Sequence, residues 1–151
     1  MTTINNLGLL LRQKSKFDEA EPLLREALDG RRRKLGDDHP STLHSINNLG
    51  SLLNAQRQLE EADALYRKAL KGYRSRQGDE HPDTLTTIHN RGLLLRQKSK
   101  FDEAEPLLRE ALDGRRRKLG DEDPSTLISI NNLGSLLNAQ GKLEEAEALY
   151  R

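Results

Sequence analysis

Ile4-Asn-Asn-Leu-Gly8 returns as Ile46-Asn-Asn-Leu-Gly50, as Ile88-His-Asn-Arg-Gly92 and as Ile130-Asn-Asn-Leu-Gly134, at steps of 42 residues. Phe17-Asp-Glu-Ala20 keeps the same step, as Leu59-Glu-Glu-Ala62, Phe101-Asp-Glu-Ala104 and Leu143-Glu-Glu-Ala146. A fixed period of this size marks stacked modules, each one supersecondary unit long. A larger duplication lies over it. Thr2 to Arg67 matches Thr86 to Arg151 at an offset of 84, with eight differences in 66 positions. They include Asn5/His89, Leu7/Arg91, His39/Asp123, His44/Ile128 and Arg57/Gly141. The whole chain, 1–151, therefore reads as one repeat domain. Its units span about 1–38, 39–80, 81–122 and 123–151, the last one shortened.

Each unit reads as two helices, A and B. In the second, Gly36 ends the preceding helix and Pro40 sits where a first helical residue lacks a use for its N–H. Leu43, Ile46, Leu49, Leu52 and Leu53 then follow at three- and four-residue spacing, an apolar stripe on helix A that ends near Gln56. Helix B runs from about Leu59 to Gln77, with Ala62, Tyr66, Ala69, Leu70 and Tyr73 on its inner face. Ser15 and Ser99 stand three residues before Asp18 and Asp102, which suggests N-caps for helix B in the first and third units. Gly30, Gly72 and Gly114 fall inside helix B, at roughly 1 kcal/mol each relative to Ala. A helix contact too close for a side chain would account for them.

Composition agrees with this reading. The chain has no Val, no Trp and no Cys, and only 3% aromatic residues. Leu, Ile and Phe still make up about a quarter of it, above the level of disordered chains. Leu, Ala, Glu, Lys, Arg and Gln favour helix, so the chain is all-α. The absence of cysteine removes disulfides, thiolate metal sites and thiol nucleophiles. A net charge of +1 gives no global field that selects nucleic acid or an anionic membrane. No apolar run reaches the length of a membrane span, and the N-terminus is not a signal peptide, so the expected location is cytoplasmic.

These residues resemble the tetratricopeptide repeat. The likeness rests on Ile46, Leu49-Gly50, Leu53, Ala62, Tyr66 and Ala69 and their counterparts in the other units. The proline that usually closes that repeat is replaced by Arg32, Arg74 and Arg116, so helix B can run on. The segment Leu35-Gly-Asp-Asp-His-Pro-Ser-Thr-Leu43, joined to Asn-Asn-Leu-Gly and Leu-Glu-Glu-Ala, resembles more closely the repeats of kinesin light chains, nephrocystin-3 and some NACHT-type receptors. The resemblance implies an α-solenoid of antiparallel helix pairs, about three and a half repeats in a right-handed superhelix. A helix pair of this size cannot bury its stripe alone, and stacking supplies the missing surface.

The resemblance also implies a site. In the family, helix A lines a concave groove that takes an extended peptide. By register the contacting positions here are Asn5, Asn6 and Arg12, then Asn47, Asn48, Ser51 and Asn54. The later units supply His89, Asn90 and Arg96, then Asn131, Asn132, Ser135 and Asn138. Asn6, Asn48, Asn90 and Asn132 occupy a place that in the family hydrogen-bonds a peptide backbone. An asparagine amide both donates and accepts, so it can pair with any peptide group. Its competing reading is a bond to the neighbouring helix A. Arg12 and Arg96 add positive charge, which favours an acidic segment.

Other chemistry finds little support. Arg31-Arg-Arg-Lys34 and Arg115-Arg-Arg-Lys118 look like nucleic-acid patches, but they fall near the ends of helix B, where cations favour the dipole. No aromatics are interleaved for base stacking, so no nucleic-acid partner is expected. His39 and His81 share their turn position with Asp123, which fits a capping role better than a metal site. No nucleophile–base pair, phosphate loop or metal spacing appears, so neither an enzyme nor a cofactor is expected. The expected function is a non-catalytic protein-interaction scaffold. The alternative is a structural spacer or self-assembling array without a specific peptide ligand. Neither end carries a polar capping helix, so end-to-end self-association is a further expectation.

Overall fold

The computed structural model describes residues 1–151. Its eight helices are α1 (Thr2–Gln13), α2 (Phe17–Leu35), α3 (Pro40–Ala55), α4 (Leu59–Gln77), α5 (Pro82–Gln97), α6 (Phe101–Leu119), α7 (Pro124–Ala139) and α8 (Leu143–Tyr150). There is no strand. Odd-numbered helices are the A helices and even-numbered ones the B helices. The chain divides into two compact units, Met1–Arg76 and Gln77–Arg151. Each holds two stacked helix pairs, α1 to α4 in the first and α5 to α8 in the second.

The helix starts follow from the Xaa-Pro turns. His39 Nδ1 accepts from the Ser41 N–H at 3.1 Å, and His81 Nδ1 accepts from the Asp83 N–H at 3.2 Å. In α7, Asp123 Oδ1 accepts from the Ser125 N–H at 2.8 Å. Three side chains thus satisfy the same orphan donor with an imidazole or a carboxylate. The proline follows each cap as the first helical residue. The preceding glycines, Gly36, Gly78 and Gly120, all take φ +86°, a conformation that a side chain would strain.

The A-to-B turns correct one expectation. Ser15 and Ser99 do not cap helix B. They lie at φ 59° and 58°, and the residue that precedes α2, Lys16, makes no side-chain cap bond. Ser15 N–H donates to Arg12 O at 2.9 Å, and Lys16 N–H donates to Leu11 O at 2.9 Å. That pair of bonds is a Schellman motif, which closes the end of helix A with a left-handed residue. Arg57, Ser99 and Gly141 occupy the same place, with the same two bonds in each turn. The serine belongs to the helix before it, where the two bonds of the turn satisfy two of that helix's orphan carbonyls.

Within each unit the core forms between A and B helices and between each B helix and the next A. Ala20, Ala62 and Ala104 are wholly buried, as are Ile46, Leu52, Leu53, Ile88, Leu94 and Leu136. In the second unit Leu108 and Leu112 of α6 cluster with Leu133, Leu136 and Leu137 of α7 and Leu95 of α5. The helical glycines sit where A and B touch. A Cβ on Gly72 would overlap Leu43, and one on Gly114 would lie 2.5 Å from Leu85 Cδ2. The contacts at Gly8, Gly50 and Gly92 face Leu24, Tyr66 and Leu108 in the same way. α2 and α6 run unbroken through Pro22 and Pro106, which leaves the carbonyls of Asp18 and Asp102 without their helical donors.

Two substitution series test this packing. At Gly72 a methyl meets buried Leu43, so Gly72→Ala should lower unfolding free energy by about 1–3 kcal/mol through overpacking. At Gly30 the methyl meets the Met1 thioether, which is 44% exposed and free to swing away. Gly30→Ala should therefore gain up to about 1 kcal/mol of helix propensity. Urea unfolding of both variants reads the opposite signs, and equal signs would contradict the assigned contacts. At the Schellman position, Arg57→Gly should stabilise by about 1 kcal/mol, since it relieves a left-handed backbone. An unchanged midpoint would mean the strain is absent.

Candidate functional site

The A helices carry the candidate site, and the two units build it alike. Arg12 Nη1 of α1 donates to Ser51 Oγ of α3 at 2.6 Å. Arg96 Nη2 of α5 donates to Ser135 Oγ of α7 at 2.7 Å. Each arginine thereby reaches the A helix of the next repeat. Ser51 also hydrogen-bonds the Tyr66 hydroxyl, which links the surface to the core. Burial pushes the Tyr66 phenol up to about 12, against the pull of that bond and of the Arg12 charge. Both guanidinium groups remain partly exposed and bond neutral hydroxyls.

The asparagines divide by environment. Asn6, Asn131 and Asn138 are exposed, while Asn47, Asn48, Asn54, Asn90 and Asn132 are half-buried. Ser51 and Ser135 are half-buried beside them. Asn54 Oδ1 is buried with no protein partner.

Asn5 and His89 need correction. Their register places them on the binding face, but they are buried, at 6% and 5% exposure. His89 Nε2 lies 3.1 Å from Asn132 Nδ2. With the amide as donor, Nε2 accepts and the ring proton sits on Nδ1, which is buried without a partner. Burial, and then the Arg115 charge, lower the imidazole to about 4. His89 is therefore a neutral interior group that joins α5 to α7.

The basic runs also hold more structure than their position near a helix end suggests. Arg31 Nη1 donates to Ser41 O at 3.0 Å and to Ser45 Oγ at 2.8 Å. Arg115 Nη1 donates to Ser125 O at 3.2 Å and to Ser129 Oγ at 2.7 Å. The first arginine of each run thus fastens a B helix to the first two turns of the next A helix. Burial draws the Arg115 guanidinium below its ordinary value, while Asp123 opposes the shift. The visible signal was the pair of serines that recurs with each run. Along the B helices, Arg25 bridges Glu21 and Glu61, both at 2.9 Å. Arg109 bridges Glu105 at 2.9 Å and Glu145 at 2.6 Å. Lys142 reaches Glu105 at 3.0 Å. Burial alone would raise Glu105, but Lys142 and Arg109 hold it below the usual carboxylate range.

No group of three or more His, Asp or Glu side chains is placed to hold a metal ion. No helix is long and apolar enough to cross a membrane.

The profile of the tetratricopeptide repeat family matches residues 1–75, 46–117 and 83–151. The chain belongs to the tetratricopeptide repeat family. Among solved structures it is similar to the nearly identical TPR-like repeats of a Podosopora anserina protein named for kinesin light chain. Identity there is 26%, with 98% of this chain and 70% of that one covered, at a TM-score of 0.90. A second crystal structure of those repeats, carrying a single substitution, matches at 26% identity over the same shares, with a TM-score of 0.89. BtubC (BKLC) from P. vanneervenii shares the fold at 24% identity and a TM-score of 0.88, over 97% of this chain and 58% of that one. Comparison with curated protein sequences finds no match. Family and fold together make the chain an all-α solenoid of the kinesin-light-chain-like class, a scaffold for protein interaction.

Acid unfolding tests the placement of His89. Its folded value of about 4 lies below the ordinary 6.5. Between those values the unfolded chain binds a proton that the folded chain refuses. Stability therefore falls as pH drops from about 6.5 to about 4, by about 1.4 kcal/mol per pH unit at most. His89→Asn, which installs the residue found at position 5, should flatten that slope. Urea titrations of both proteins across this range give the difference, and parallel curves would contradict a buried neutral His89.

Proposed function

We propose that the A-helix face binds an extended, acidic peptide segment and that the chain acts as a non-catalytic scaffold in the cytoplasm. Asn6, Asn48, Asn90 and Asn132 hydrogen-bond the peptide backbone. Arg12 and Arg96 meet its carboxylates. Asn47, Asn54, Asn131 and Asn138, with Ser51 and Ser135, complete the lining. Asn5 and His89 stand behind it and position the helices. The observation that carries this reading is the state of the arginines. Each is oriented by a neutral serine hydroxyl and pairs with no carboxylate, so its charge is left for a ligand. Charge-assisted bonds to a carboxylate are among the stronger polar contacts available to such a surface.

An array of extended peptides graded from acidic to basic tests the proposal. Acidic members should bind, and Asn48→Ala should weaken them by about tenfold, one good hydrogen bond's worth. Arg12→Gln and Arg96→Gln should erase the acidic preference. Unfolding midpoints measured in parallel separate lost binding from lost folding. An array in which nothing binds, or in which basic peptides bind best, overturns the reading.

A further inference from the structure

The arginines of the A-helix face recur every 84 residues, not every 42. α3 and α7 contain no Lys, Arg, Asp or Glu. Where α1 and α5 carry Arg12 and Arg96, these helices carry Asn54 and Asn138. The reverse holds for the hydroxyls that hold the arginines. Ser51 and Ser135 stand where α1 and α5 carry Leu9 and Leu93. An arginine and its serine therefore come from two consecutive A helices, and a complete set needs two repeats.

Each compact unit holds one such set. Met1–Arg76 contains Arg12 and Ser51, joined at 2.6 Å, and Gln77–Arg151 contains Arg96 and Ser135, joined at 2.7 Å. The two sets have the same lining. Asn6, Leu9, Arg12, Asn48, Ser51 and Asn54 all reappear unchanged at the offset of 84. The Asn5/His89 difference is buried in both units. Among the A helices only His44/Ile128 changes a side chain that is exposed in both, two turns before the serine. Neighbouring helices lie about 8–10 Å apart and an extended chain rises about 3.3 Å per residue, so about six residues cross the two A helices of one unit.

We propose that the chain carries two equivalent, separate sites for short acidic peptides, one on each unit, and that its partner presents the acidic segment in two copies. This rests on the peptide reading of the A-helix face and adds its stoichiometry. A segment of about six residues with one carboxylate cluster fills the set of one unit and leaves the other free. A partner with two such clusters engages both sets, and its second contact forms within the complex rather than from solution. The duplication of an already double repeat then raises the number of sites rather than the length of one.

Fluorescence anisotropy with two labelled probes tests it. The single probe is a capped hexapeptide with two central aspartates. The tandem probe joins two copies of it through a Gly/Ser linker of about 40 residues, whose reach of about 35 Å exceeds the roughly 30 Å width of a compact unit of this size. At saturation the chain should hold two single probes. The tandem probe should bind at least about tenfold tighter than the single one. Arg12→Gln and Arg96→Gln should each remove that gain and leave single-probe binding at the intact unit, and the double variant should lose both. Circular dichroism checks that the variants stay folded. One single probe per chain, or a tandem gain that survives either substitution, overturns the two-site proposal and leaves the peptide reading standing. A tandem probe that gains no more than about twofold, the statistical factor for two ends, does the same. Failure of both probes to bind overturns the peptide reading along with it.

Discussion

The closeness of helix A to helix B within a repeat is the constraint on which the rest depends. At Gly72 and Gly114 the two backbones approach so nearly that Leu43 and Leu85 occupy the space of a methyl group. Ala62 and Ala104, wholly buried, perform the same service further along. Thin, close pairs of this kind leave each apolar stripe only partly covered. The next repeat must then supply the remainder. A chain with a third of its residues charged and few aromatics can fold this way, since no wide core needs filling. Position-specific polar bonds then fix how one pair sits on the next. Arg31 and Arg115 do this at one end of the helices, and Arg12 and Arg96 towards the other.

The polar connectors and the proposed ligand contacts share residues. Ser51 accepts from Arg12 while it bonds the buried Tyr66, and Asn132 pairs with His89. The reading of helix-A asparagines as either groove residues or stacking residues therefore splits by position. Asn6, Asn131 and Asn138 face outward, whereas the Asn132 Nδ2 already meets His89 of the preceding A helix and leaves only its Oδ1 for a peptide N–H. A surface assembled in this way is held in shape by the same hydroxyls and amides that a ligand would approach. Little reorganisation is then needed on binding, which lowers its entropic cost.

Much of the fold was legible because periodic features carry their own controls. His39, His81 and Asp123 in one turn position could share only one task, and capping is what an imidazole nitrogen and a carboxylate have in common. Glycine inside helix B made sense only as a close contact. Features that depend on a neighbouring helix are not legible in this way. Ser15 satisfied a local capping pattern, yet the Schellman closure of the previous helix claimed it. Asn5 and His89 lie on helix A in the proper register, but the adjoining A helix decides whether they see water. Arg31 and Arg115 suit the helix dipole by their position, but the fold also brings serine hydroxyls fourteen residues onward within their reach.

The two near-identical units raise a question of addressing. α1 has the same side chains to offer α6 as it offers α2, because Phe17–Leu35 and Phe101–Leu119 are identical in sequence. Contact energy cannot tell the right partner from the wrong one. Chain connectivity can. Only three residues separate α1 from α2, and the competing helix lies 84 residues further on. Closing the longer loop costs about 3 kcal/mol more in chain entropy. The short left-handed turns at Ser15, Arg57, Ser99 and Gly141 are therefore more than connectors. By keeping each helix beside its successor they hold the information that the duplicated side chains have lost, and lengthening one would invite the exchange of helices between units.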